Sequence, residues 1–421
     1  MKMSVEPRRA FENPYTIWDI VKRFHVGWKI FGFAHFSVDG KIENGKIKLE
    51  LFDFLSAVIS NSIVLYIVYL NYDRDLTIIS TTSRVINMGS RLVLIYEIGN
   101  VFIAAVIMML KRHDVWGIFY RCHKLDEELK TLGMRIDHKK QQLNLHIVIG
   151  VCLLIFFLMA GISGYFLWTL IDPLRAPFMI VSYMTINASM TTTLLTSAFL
   201  LYSIFIRFRL INDSIKKFFV TEEEDELKNQ KSSEVLCKIV AKLADLHDTL
   251  VDIVGSFNYC FSFTLMHVVA STFLTDIFSI FAIYRVFVRY DYSQWEAAVI
   301  QYVWNLYFLI YGFIIVMLGS LVTRTGKYTA VLVHKAVNYI YDDDDPIIDV
   351  LKMFSQQMQH RAPVVTCGLF TFDFTLLFTI IGATATYIVI LIQFDTDVSV
   401  PNKNVTSMFS NISLTTEIME L

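Results

Sequence analysis

From Ala176 to Ile206 the chain carries no charged side chain, and the same holds from Ala297 to Thr323. A helix rising about 1.5 Å per residue needs roughly 20 apolar residues to cross a hydrocarbon core about 30 Å thick, and both stretches exceed that length. Lipid offers no partner for a backbone N–H or C=O, and a helix satisfies all of these groups within the segment. The expected fold class is therefore an all-α integral membrane protein. Of the 421 residues, 55% are apolar and only 18% are charged, against about 25% charged in an ordinary soluble domain.

Seven spans are predicted, at about 51–71, 85–110, 145–170, 177–206, 257–284, 296–322 and 366–394. The first fifty residues are mixed and charged, with no apolar core of a secretory signal, so the first span is expected to serve as its own targeting signal. Thirty of the 37 Lys and Arg residues fall in the N-terminal segment and in the second-to-third, fourth-to-fifth and sixth-to-seventh connections; seven are assigned to the other side. Such a bias places the richer side in the cytoplasm. It predicts a cytoplasmic N-terminus and an extracellular C-terminus. Two glycosylation sequons, at Asn404 and Asn411, lie in that predicted extracellular tail. Asn187 and Asn212 also begin sequons, one in a span and one in a cytoplasmic loop, so the tail pair adds only modest weight. The five cysteines all fall in predicted membrane or cytoplasmic positions, and no structural disulfide is expected.

The outer connections are short and the cytoplasmic ones long and helical. Val235, Leu236, Ile239, Val240, Leu243, Leu246, Leu250, Ile253 and Val254 recur at helical spacing and lead into the fifth span without a break. The sixth span continues past Arg324 to about Tyr341, where the run Asp342–Asp345 and Pro346 ends it. A short helix is predicted over 347–361. These extensions suit either a cytoplasmic bundle that joins subunits or one long-helix monomer with amphipathic surfaces. The expected organisation is a cytoplasmic N-terminal segment (1–50), a six-helix bundle (51–322), cytoplasmic anchor helices (323–365), a last, pore-lining helix (366–394) and an extracellular tail (395–421). There is no internal repeat of the kind many transporters carry.

No catalytic constellation is present. Gly326–Lys327 is followed by Tyr328 and lacks the spacing of a phosphate-cradling loop. His113, His123 and His138 lack zinc-ligand spacing. No cofactor, metal or nucleic acid is expected. The chain also lacks an Asp-Arg-Tyr after the third span and cysteines in the outer loops, and its orientation is opposite to that of a G-protein-coupled receptor.

The last span ends in Thr386–Tyr387–Ile388–Val389–Ile390–Leu391–Ile392–Gln393–Phe394. A lipid-buried anchor has no need of the Gln amide, whereas a helix beside a water path does. This sequence resembles the signature of the insect gustatory receptors: Thr-Tyr, five hydrophobics, Gln-Phe. Thr366–Cys367–Gly368–Leu369–Phe370 with Asp373 and Thr375 resembles the start of the same family's last helix, and Leu243–Asp248 with Leu250 the stretch before its fifth. The family's sugar receptors tend to carry Glu after Thr-Tyr, where this chain has Ile388; that places it outside the main sugar clade, although fructose-receptor-like members also have an aliphatic there.

The resemblance implies a chemosensory ligand-gated cation channel in the plasma membrane of sensory neurons, related to the insect odorant receptors. It implies a homotetramer, or a heterotetramer with related receptors, with four copies of the last helix around one pore. Ile390 would form an apolar constriction that gates by dewetting. Gln393 would form a ring of amide oxygens outside it, with Thr386 one turn below and Phe394 beside it. Candidate ligand-binding residues are the polar and aromatic groups in the outer halves of the spans: Glu97, Tyr96, Trp168, Tyr183, Asn187, Asp276, Gln301, Trp304, Asn305 and Tyr307. Ionisable groups in a span are costly and need partners or water. They suit either a pocket for a small polar or amphiphilic tastant or a structural polar network between helices. Trp304 is the first choice, because its position matches the family's pocket floor. A receptor or transporter without its own pore is the alternative, and a thermosensory channel a variant.

Overall fold

The computed structural model describes residues 16–22, 25–30, 37–39 and 46–48, scattered positions within 51–69, and 83–399 except 171–173, 175, 220–232, 291, 293–294 and 341–345. The expected first span falls largely outside these residues, as do the tail sequons at Asn404 and Asn411.

Two short helices, α1 (Ile17–Lys22) and α2 (His25–Ile30), precede an antiparallel strand pair, β1 (Ser37–Asp39) and β2 (Lys46–Lys48). The rest is helical: α3 (Arg84–Leu110), α4 (Arg112–Thr131), α5 (His138–Leu170), α6 (Ala176–Phe219), α7 (Ser233–Val288), α8 (Trp295–Tyr339), α9 (Pro346–His360) and α10 (Phe374–Ser399). Among the described residues, six of these are long and apolar enough to cross a membrane: α3, α5, α6, α7, α8 and α10.

Three helices far exceed a bilayer. α7 has 56 residues, α8 45 and α6 44, so α7 alone runs about 84 Å. Their ends gather on one side with α4 and α9. At this extended end α4 presents Val115, Phe119, Cys122 and Leu129 inward at helical spacing. It stops where Gly133 adopts φ 81, with Met134 N–H bonded to Leu129 C=O at 3.0 Å and Gly133 N–H to Lys130 C=O at 3.0 Å; this is a Schellman closure, which favours glycine. α9 starts on Pro346, a residue suited to a first helical turn, and buries Ile347, Leu351, Phe354 and Met358. α1 packs Trp18 edge-on against Trp116, ring centres 4.8 Å apart.

Buried polar pairs stitch the extended end together. Arg207, fully buried, holds Asp126 through two parallel bonds of 2.9 and 2.6 Å and donates a third to Ser203 C=O at 2.8 Å. Asn212 donates to Thr325 C=O at 2.9 Å and accepts from Thr329 at 2.7 Å, locking α6 to α8. The His247 Nε2–H donates to Gly326 C=O at 3.3 Å between the rings of Phe208 and Phe354.

The last helix starts later than the sequence suggested: at Phe374, not near residue 366. Residues 361–373 form an elbow instead. Gly368 takes φ 89, a left-handed conformation that is easy for glycine. Thr366 and Thr371 pair as an isolated bridge. Asp373 caps α10 by accepting from Thr375 N–H at 2.9 Å, as a helix start requires. Asn258 grips the elbow from α7, donating to Val364 C=O at 2.7 Å and accepting from Thr366 N–H at 3.2 Å. Phe372 seats against Gly319 of α8, where an added Cβ would come within 2.8 Å of its carbonyl oxygen.

Candidate functional site

Two places in the spans concentrate the polar residues singled out above. The first is a cavity of about 80 Å³ among α3, α5, α6, α7 and α8, lined by Glu97, Tyr183, Gln301 and Trp304 together with Ser90, Leu167 and Phe278. Trp304 is 2% exposed. Its Nε1–H donates to Ser163 Oγ at 2.7 Å, and its ring meets Tyr183, Phe156 and Tyr307 edge-on at 5.9, 5.6 and 5.4 Å. Such a cage fixes one indole orientation, since edge-to-face pairs are directional. Gln301 donates to Ser90 Oγ at 2.9 Å, while its Oε1 is buried without a protein partner. Glu97 is buried on the opposite wall. Phe278 presses on Gly89, where an added Cβ would meet its ring at 2.2 Å. The cavity is small: an apolar cavity of about 150 Å³ is what admits benzene. A ligand larger than that requires the aromatic walls to part.

The other predicted pocket residues are placed differently. Tyr307 bonds Tyr311 at 3.1 Å and Thr191 at 3.3 Å behind Trp304. Asn187 donates to Tyr183 C=O at 2.8 Å. Both lie outside the lining. Trp168 faces outward and is about half exposed; Tyr96 packs against His267 of α7 and lines the hollow of about 400 Å³ beside α10 instead. Their hydropathy resembles that of pocket residues, but their helical phase turns both away from the cavity beside Trp304.

Asp276 and Asn305 form the second place. Asn305 donates to Asp276 Oδ1 at 2.8 Å, and Thr384 of α10 donates to Asp276 Oδ2 at 3.0 Å. Three helices thus meet on one carboxylate. Asn305 follows Trp304 in sequence, so the joint adjoins the cavity through α8. Thr384 was not singled out from sequence; the signal was Asp276 itself, which needed a partner in a span.

α10 carries the terminal motif. Thr386, Ile390 and Gln393 share an exposed face turned away from the bundle; Ile390 is 37% exposed. Phe394 is exposed beside it. Tyr387, about half exposed, flanks that face, with its ring edge-on to Phe273 at 6.0 Å. At the end opposite the extensions, Asp395 accepts from Arg285 at 2.6 Å, with Arg289 at 3.8 Å. Gly368 and Asp373 are the elbow's turn residue and helix cap. The helix is therefore held at its base and tip and by one hydrogen bond at its middle, and hollows of about 650 and 400 Å³ flank it between those points.

Known proteins agree with this architecture. The olfactory receptor OR5 of Machilis hrabei superposes with a TM-score of 0.64 over 90% of this chain and 98% of its own, at 12% identity; the same receptor in complex with eugenol gives 0.56. At that identity the likeness shows the fold alone. In sequence, gustatory receptor 28b of Drosophila melanogaster is 20% identical over 92% of this chain and 87% of its own length. Gustatory receptor 28a of the same fly is 33% identical over 37% of this chain, a match spanning only 35% of that receptor. A family profile described as 7tm Chemosensory receptor matches residues 21–397, nearly the whole of the helical frame described above. The chain is a multi-pass membrane protein and belongs to the 7tm chemosensory receptor family.

Proposed function

We propose that this chain is one subunit of a chemosensory, ligand-gated, non-selective cation channel, with a taste-type ligand bound beside Trp304 and a pore formed by α10 from four subunits. The observation that carries the reading is the two-sidedness of α10. One face, through Thr384, is tied to the bundle that holds the cavity. The other, with Thr386, Ile390 and Gln393, points away from its own chain. The Thr386 hydroxyl is turned to Gly382 C=O at 3.0 Å; the Gln393 amide beyond it suits water better than lipid, and a shared axis gives it water.

The extended end lies in the cytoplasm by the charge bias and joins the subunits there; the N-terminal segment lies on the same side, and the tail with Asn404 and Asn411 outside. Ile390 closes the resting pore by dewetting, and Gln393 replaces part of a cation's hydration shell. Ligand entry parts the aromatic walls, shifts α8 at Trp304–Asn305 and transmits the shift through Asp276 to Thr384.

The test is whole-cell recording with G-protein signalling blocked, during a screen of sugars, alkaloids, nucleosides and temperature steps. Evoked current that persists, carried by Na⁺ and K⁺ alike, supports the reading; surface-expressed chains that signal only through G proteins refute it. Ile390→Ala is expected to raise resting conductance at least tenfold. Trp304→Ala is expected to move the dose–response midpoint at least tenfold at unchanged surface expression.

A further inference from the structure

The larger hollow beside α10 has a chemistry of its own. It is partly open and measures about 650 Å³, more than four times the apolar cavity that admits benzene. Its walls come from α6, α7, α8, the elbow at Phe372 and α10 of the one chain. Along α7 it runs from Leu265 to Ile280, about 22 Å, so it is a slot rather than a sphere. The lining is apolar except where the Asp276 carboxylate and the Thr384 hydroxyl stand toward one end; the Thr272 hydroxyl is turned to Val268 C=O at 2.9 Å. Each Asp276 oxygen accepts one hydrogen bond, from Asn305 or from Thr384. A carboxylate oxygen has two acceptor positions, so each retains one. Gly312 contributes space rather than contact: an added Cβ there would meet nothing within 4 Å.

These features select the occupant. A helix is about 10 Å across and cannot enter a slot whose walls are hydrogen-bonded to each other. Water is disfavoured along an apolar wall with one polar end. A slim hydrocarbon fits the length, and a single donor fits the carboxylate. We propose that this slot is a second ligand site, separate from the cavity beside Trp304, and that it takes a long-chain alcohol whose hydroxyl donates to Asp276 while its chain lies along α7 toward Leu265. Entry is from the bilayer, between α10 and the bundle.

The test reads binding and so is independent of any pore. The purified full-length chain in phosphatidylcholine nanodiscs is photolabelled with a diazirine derivative of 1-dodecanol, and the adducts are mapped by mass spectrometry. Adducts are expected within 265–280 and 376–388, reduced at least tenfold by excess 1-dodecanol and less than twofold by dodecane. Gly312→Phe fills the slot from α8 and Ile380→Trp from α10; whichever elutes as the wild-type particle is expected to lose at least tenfold of the labelling. Adducts confined to other segments, equal competition by dodecane, or wild-type labelling of a folded filled variant each overturn the proposal.

Discussion

The two ends of the last connection are built on opposite principles. Below the elbow, the extended end is dense and cross-linked by buried polar pairs: Arg207 on Asp126, Asn212 on Thr325 and Thr329, His247 on Gly326. Arg361 adds exposed bonds to Asp248 and Asp252. Above the elbow, α10 stands beside the bundle with hollows on both sides, held at Phe372, Thr384 and Asp395. The contrast teaches where motion is cheap. Moving an element of the extended end leaves charged or polar groups buried and unpaired, whereas moving the middle of α10 breaks a hydrogen bond and slides apolar surface past apolar surface. A fixed base and a yielding helix are what the proposed gate requires.

The largest expected break is in the base. Asp126→Ala strands a fully buried guanidinium and should cost about 3–5 kcal/mol. It is expected to unfold or mis-sort most of the chain, seen as loss of the native peak in fluorescence-detected chromatography after a brief heat step. The double variant Asp126→Leu/Arg207→Met should recover much of that peak, because it removes both charges together. A wild-type profile for Asp126→Ala alone would mean that the base is not rigid in the sense argued.

Acid should act on the same region with a smaller effect. Burial lowers the pKa of His247 from 6.5 to about 4, against weaker opposing contributions from the Gly326 carbonyl and Asp248. Between those values the unfolded chain binds the proton more tightly, so stability is complete above pH 6.5 and falls as pH drops toward 4. At pH 5 the loss is about 2 kcal/mol. Replacing the ring in His247→Gln should flatten this part of a melting-temperature profile between pH 7 and 5; an unchanged slope would assign the acid response elsewhere.

The smallest effect belongs to the yielding helix. Thr384→Val removes its bond to Asp276, and hydrogen bonds between spanning helices average about 0.6 kcal/mol. In the proposed channel, resting open probability should therefore change by about threefold, with the melting temperature nearly unchanged. A change in stability comparable to that of Asp126→Ala would abolish the distinction between base and gate.

Much of this frame was legible because membranes simplify the code. Long uncharged stretches, the stripe from Val240 to Val254 and the stop at Pro346 each follow from local periodicity and composition. The elbow was misread as helix because Cys367, Leu369, Phe370 and Phe372 carry the apolar run of the last span back to residue 366; the signals against helix were Gly368 and the capping arrangement of Asp373 and Thr375. Site residues were legible in kind but not in direction. Glu97, Tyr183, Gln301 and Trp304 converge on one cavity, whereas Trp168, of equal promise in sequence, turns outward and Tyr96 turns to a different hollow. One residue along a helix rotates a side chain by about 100°, and nothing local fixes the rotation of one helix against another.

The sequence by itself determined that the chain is helical and membrane-bound, where its helices outgrow the bilayer, and that its last span carries a polar motif. Those properties rest on backbone hydrogen bonding in lipid and on composition, both of which are local. Tertiary structure alone decided that Asp276 meets Asn305 and Thr384, that Arg207 meets Asp126 and that Asp395 meets Arg285. Each joins positions 29 to 110 residues apart. Such pairs form only when packing brings their helices into register, because a buried charge or amide finds its partner through the geometry of the whole bundle.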